Sequence, residues 1–190
     1  MAFSCILLKN AGNALPFPGS SKKYAIIGDR GHTRALAVGS GSGHVEPSHI
    51  FTTYEGISKA APLGSKVTYV DSNSYRSKAA LVAQVDYAIV AVGATSGEGF
   101  DRDNLKLEED DMIAWVAARH RHVIVTVVAP GAVLMPWADH PNISAIVLQV
   151  LSFFHTFNLA GSTTSKQTNK ELTFVKYIYS LCLGKRLGMD

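Results

Sequence analysis

Cysteine is nearly absent. Cys5 and Cys182 are the two in 190 residues, they lie near opposite ends, and they match no metal or redox spacing. Two isolated positions give no argument for a structural disulfide. No stretch approaches the ~20 apolar residues that a membrane helix needs. The apolar run within residues 1–9 is too short, and too little basic at its start, to read as a signal peptide. Charge is also sparse: charged residues make up 17% and the formal net charge is +3. The longest basic cluster, Arg119-His120-Arg121-His122, falls between a helix and a strand and reads as a solvated helix end. Nucleic acid is therefore not an expected partner. Histidines 32, 44, 49, 120, 122, 140 and 155 show no metal-ligand spacing and read mostly as surface or loop residues.

Apolar residues, at 47%, supply ample core for one domain of ordinary size. They fall in short runs: Ile6-Leu7-Leu8, Tyr24-Ala25-Ile26-Ile27, Val67-Thr68-Tyr69-Val70, residues 87–92, 123–128 and 143–148. Those apolar on both faces are strands of a parallel sheet. Between them, Thr52 followed by Glu55 predicts a capped helix start. Residues 76–85 read as a short amphipathic helix. The acids Glu108, Glu109, Asp110 and Asp111 enrich the start of another helix, as the helix dipole favours. A helical turn is expected over 132–138. The alternation predicts an α/β fold, a doubly wound, mostly parallel sheet sandwiched by helices, over residues 1–150. Residues 151–190 break the pattern and are expected to form a divergent tail, helical or poorly ordered.

The chemistry-bearing stretch is Ser96-Gly97-Glu98-Gly99-Phe100-Asp101-Arg102, a Gly-rich loop after the apolar run 87–92. Ligand sites in open α/β sheets lie at the carboxyl ends of strands, so Glu98 is a candidate proton donor or acceptor. Asp101, three residues on, is close enough in sequence to approach the ~5 to 9 Å of a paired-carboxylate site. The simpler role for Asp101 and Arg102 is to pair with each other and hold the loop. Gly28-Asp29-Arg30-Gly31 follows a strand, but no helix opens directly after it. Gly39-Ser40-Gly41-Ser42-Gly43 lacks the Gly-Lys-Ser/Thr of a phosphate loop, so a nucleotide-binding reading is weak. Asp139 and His140 join Ser96 as a hydrolase triad only on paper, since Ser96 lacks the G-x-S-x-G elbow.

Taken in order, several pieces resemble the C-terminal α/β sandwich domain of glycoside hydrolase family three, the family of many β-glucosidases and β-xylosidases. They are Ile6-Leu7-Leu8-Lys9-Asn10 with Leu15-Pro16, Tyr24-Ala25-Ile26-Ile27-Gly28, and Gly39-Ser40-Gly41-Ser42-Gly43 with Val45. Thr53-Tyr54-Glu55-Gly56-Ile57, Glu98-Gly99-Phe100-Asp101-Arg102 with Leu105 and Leu107, and Pro130-Gly131-Ala132-Val133 with Met135-Pro136-Trp137 complete the set. The Ser-Gly-Glu-Gly form is similar to the β-glucosidase branch. The resemblance implies a retaining glycosidase acting on a β-linked oligosaccharide or glycoside, with no cofactor and no metal. It implies Glu98 as the acid/base. Gly41, Ser42 and Gly43 then shape the aglycone side of a substrate cleft, and Asp101 and Arg102 join that substrate-binding set by fixing the loop of Glu98. The nucleophile would be an aspartate on a preceding (β/α)8 barrel, supplied in cis or in trans. This chain carries no barrel, and Gln149-Val150-Leu151-Ser152 stands where the family has a Pro-Gly-Gln-Glu segment, so negligible hydrolysis is expected of it alone. A non-catalytic carbohydrate-binding or docking module is the alternative, and a flavodoxin-like nucleotide binder a weaker one.

Overall fold

The computed structural model describes residues 5–36 and 49–150. Residues 151–190 and the stretch holding Gly41, Ser42 and Gly43 lie outside the described residues. Among the described residues six strands form one sheet: β1 (Cys5–Asn10), β2 (Lys23–Ile27), β3 (Lys66–Val70), β4 (Tyr87–Gly93), β5 (Val123–Ala129) and β6 (Ile143–Val150). Their spatial order is β1-β6-β5-β4-β2-β3. Every pairing is parallel except that of β1 with β6, which is antiparallel and sets Cys5 opposite Gln149. The α/β sandwich read from the sequence is the fold observed.

The parallel strands are apolar on both faces because both faces are covered. On one face Ala25, Val90 and Val125 pack against Val82 of α2 (Ala79–Gln84) and Met112, Ile113 and Val116 of α3 (Asp110–Ala117). On the other, Tyr24, Ile26, Ile89, Ile124 and Val147 meet Ile57 of α1 (Thr53–Ala60), together with Leu15 and Phe17. Burying each large side chain fully is worth about 1.5–3 kcal/mol, so this two-sided core holds the strand ends in fixed relation.

Local chemistry sets the boundaries. Thr52 Oγ1 accepts the Glu55 N–H at 3.1 Å while Glu55 Oε2 accepts the Thr52 N–H at 3.4 Å, the expected capping box. Asn10 clasps Leu15, donating to its carbonyl and accepting its N–H, both at 2.9 Å. The helix expected over 76–85 forms only at Ala79–Gln84. Asp71 organises the residues that follow it, ahead of α2, into turns, accepting from Asn73 N at 3.1 Å and from the Ser74 hydroxyl. The turn expected over 132–138 falls slightly later, with bonds of 3.0 Å from Ala138 N to Met135 O and from His140 N to Trp137 O. Arg119, Arg121 and His122 are exposed, as the solvated reading of the basic cluster expects, whereas His120 is buried. Its Nε2 donates to Val85 O at 2.9 Å and its Nδ1 accepts from His122 N at 3.1 Å.

Candidate functional site

Among the described residues four connections leave the carboxyl ends of the parallel strands: residues 28–36 after β2, 71–78 after β3, 94–109 after β4 and 130–142 after β5. The β4 connection carries Glu98. Gly97 N donates to Phe100 O at 2.9 Å and Phe100 N returns a bond to Gly97 O at 3.1 Å. That reciprocal pair closes a two-residue tip made of Glu98 and Gly99. Gly99 takes φ +73, the positive value that the third residue of a type II turn requires. Glu98 is exposed at the tip, and the Phe100 ring beside it is 71% exposed.

Beyond the tip, the side chains of Asp101 and Arg102 form no ion pair. Asp101 Oδ1 accepts the Arg102 backbone N–H at 2.7 Å. The guanidinium instead reaches the β5 connection, where Nη2 donates to Ala132 O at 3.0 Å. Leu134 N adds a backbone bond to Leu105 O at 2.8 Å, so the two connections are joined twice. Arg102 Nε and Nη1 are enclosed without a hydrogen-bond partner. The loop of Glu98 is thus held from outside by Arg102, while Asp101 shapes the chain locally.

On the other side lies a pair that the sequence did not reveal. Arg30 Nε stands 3.5 Å from Glu109 Oε1, with side chains only 12% and 15% exposed. Burial pushes the Glu109 carboxyl above its ordinary value, and the attraction of Arg30 offsets this only in part. Asp29, next to Arg30, is fully engaged elsewhere: its Oδ1 accepts from Tyr69 OH at 2.9 Å and from Ser72 N at 3.0 Å. The Gly28–Gly31 loop is therefore packed with protein groups rather than open as a phosphate cradle. Burial is also the main cause raising the Tyr69 hydroxyl.

The structure does not assemble Ser96, Asp139 and His140. His140 Nδ1 accepts from Asn142 N at 3.1 Å beside the amino end of β6, whereas Ser96 follows the carboxyl end of β4. Among the described residues no group of His, Cys, Asp and Glu is arranged to hold a metal. No helix among them is long and apolar enough to cross a membrane.

Residues 5–152 match the glycosyl hydrolase family 3 C-terminal domain. This chain belongs to glycosyl hydrolase family 3. The family 3 domain is 33% identical to beta-glucosidase 1 of Aspergillus aculeatus, the match covering 77% of this chain and 20% of that protein. It is likewise 33% identical to thermostable beta-glucosidase B of Acetivibrio thermocellus, over 73% of this chain and 20% of the relative. Among solved structures, the Chaetomium thermophilum beta-glucosidase superposes with a TM-score of 0.69 at 33% identity, over 76% of this chain and 20% of that one. The beta-D-glucoside glucohydrolase of Trichoderma reesei gives the same TM-score at 29% identity, over 75% and 24%. The chain spans about a fifth of the length of the curated relatives it matches.

Proposed function

We propose that this β-glucosidase-like domain supplies the acid/base carboxyl of a retaining glycosidase, and that Glu98 is that group. The observation that carries the reading is the position of Glu98: exposed, at the tip of a hydrogen-bonded turn, past the carboxyl end of a central strand. The relatives are beta-glucosidases about five times the length of the match. The remainder of the site, including an aspartate nucleophile, would come from a (β/α)8 barrel in cis or in trans.

In the first step the protonated Glu98 gives its proton to the glycosidic oxygen as the carboxylate nucleophile attacks the anomeric carbon. The leaving alcohol departs neutral and a glycosyl ester forms. In the second step the Glu98 carboxylate takes a proton from water, whose oxygen displaces the ester and regenerates both groups. Asp101 and Arg102 would act by holding the loop, and Gly41, Ser42 and Gly43 would border the aglycone side.

The chain mixed with a family 3 barrel domain, assayed on aryl β-glucosides, tests the reading. Glu98→Gln should lower the rate about 10²- to 10⁴-fold on a glucoside with a poor leaving group. The loss should be much smaller where the leaving alcohol is acidic enough to depart without a proton. Equal activity of the variant on both substrates overturns the assignment. A purely carbohydrate-binding or docking role is favoured instead if the mixture binds glycosides but Glu98→Gln changes no rate.

A further inference from the structure

The chain leaves β4 at Gly93 and regains regular structure at Asp110, the first residue of α3. Glu98 stands on the excursion between. Glu109 stands at the far end of it, immediately before α3. Arg30, from the β2 connection, meets the same carboxylate at 3.5 Å. The far end of the Glu98 loop is therefore tied to a neighbouring connection.

Stability does not explain this arrangement. Glu109 Oε2 is enclosed without a hydrogen-bond partner, and burial outweighs the attraction of Arg30 in setting its proton affinity. A buried ion pair of this kind is weak support for folding, because its desolvation penalty rivals its Coulomb gain. Its surroundings are nevertheless tight. A side chain at Gly93 would meet Val128 O at 2.6 Å and Leu36 Cδ1 at 2.7 Å, and one at Gly28 would meet Ala91 O at 2.5 Å. The β2 connection thus rests on β4 at backbone contact, which fixes where Arg30 stands.

We propose that Arg30 and Glu109 are a positioning pair that pins the neck of the 94–108 loop to the sheet and so holds the Glu98 turn in one place. Its purpose rests on the reading of Glu98 as acid/base; its geometry does not.

Nuclear magnetic resonance on the full chain tests this without any assay of activity. The readouts are amide exchange at Gly97 and Phe100, whose mutual bonds close the turn, and the carboxyl carbon resonance of Glu98. Glu109→Gln and Arg30→Met should each speed exchange at Gly97 and Phe100 by about tenfold and move the Glu98 resonance. The amides of Ala88 and Val90 in β4 should keep their parental rates. Arg30→Lys, which retains the charge, should restore most of the parental behaviour. If Glu109→Gln fails to fold, Glu109→Asp carries the same test, with a smaller acceleration expected because the charge is kept and the reach shortened. Unchanged exchange at Gly97 and Phe100 would overturn the proposal, as would equal acceleration in β4, which signals general loosening. The exchange test involves neither substrate nor barrel, so the fate of the acid/base assignment, read in the rate assay, is separate from that of the pair.

Discussion

Trp137 donates its indole N–H to Asp110 Oδ1 at 2.7 Å, joining the β5 connection to the first turn of α3. The indole is buried, so its donor has few alternatives. Asp110→Ala should cost about 1–3 kcal/mol, the penalty for a buried donor left unsatisfied, measured by urea unfolding. Trp137→Phe should cost a comparable amount through lost volume as well as the lost bond. A change below about 0.5 kcal/mol in Asp110→Ala, the range of ordinary surface substitutions, would show that the bond does not hold this corner.

Two glycines with positive φ should respond very differently to alanine. Gly12 has φ +61 with open space around it, whereas Gly28 has φ +102 and its added Cβ would lie 2.5 Å from Ala91 O. Gly12→Ala should cost about 1–2 kcal/mol, the backbone penalty alone. Gly28→Ala adds a collision with backbone and should exceed it by at least about 2 kcal/mol. Equal losses in thermal unfolding would mean that the β2 connection yields more readily than its packing indicates.

Cys5 should be chemically silent in the folded chain. It is buried in β1, and burial pushes its thiol up to about 12. The thiolate is the reactive form, so at pH near 8 almost none is present. In a Cys182→Ser background, a chromogenic disulfide reagent should label Cys5 only as denaturant unfolds the domain. Fast labelling without denaturant would contradict the buried placement.

The raised proton affinity of Glu109 has a definite sign in stability. Above its ordinary value of 4.5, the unfolded carboxyl has lost its proton while the folded one still holds it. The native state then binds more protons, so stability falls as pH rises from about 4.5 through the folded value. Glu109→Gln cannot titrate. The stability of the variant relative to the parent should therefore increase from about pH 4 to pH 7, whatever the absolute difference. Denaturant midpoints that run parallel for the two proteins over that range would refute this.

Much of the fold was legible because it is local. The apolar runs carry the strands, and Thr52 with Glu55 announces the start of α1. The family motif around Asn10 has a physical meaning that its letters do not show. Asn10 clasps Leu15, and Lys9 Nζ donates to Ala138 O at 2.8 Å and His140 O at 3.2 Å. The glycines flanking Glu98 likewise signalled a turn, and Gly99 takes the positive φ such a turn uses. What stayed hidden is long-range. Arg30 looked like part of a glycine loop, and Glu109 like one of several acids at a helix start. Only the neighbouring placement of β2 and β4 brings them together. Asp101 meets Arg102 through the backbone N–H rather than the guanidinium for a related reason: Ala132, distant in sequence, offers the guanidinium a carbonyl.

The antiparallel pairing of β1 with β6 bears on how anything attached to this domain would meet Glu98. Because β1 runs against the other strands, Cys5 and Val150 both emerge at the carboxyl-end rim where the Glu98 turn projects. A polypeptide joined at either point starts its path within a few residues of that rim. The shorter the tether, the higher the local concentration of what it carries at that rim. A domain on a short tether would search only a small volume around the Glu98 turn, an advantage lost when the two are separated.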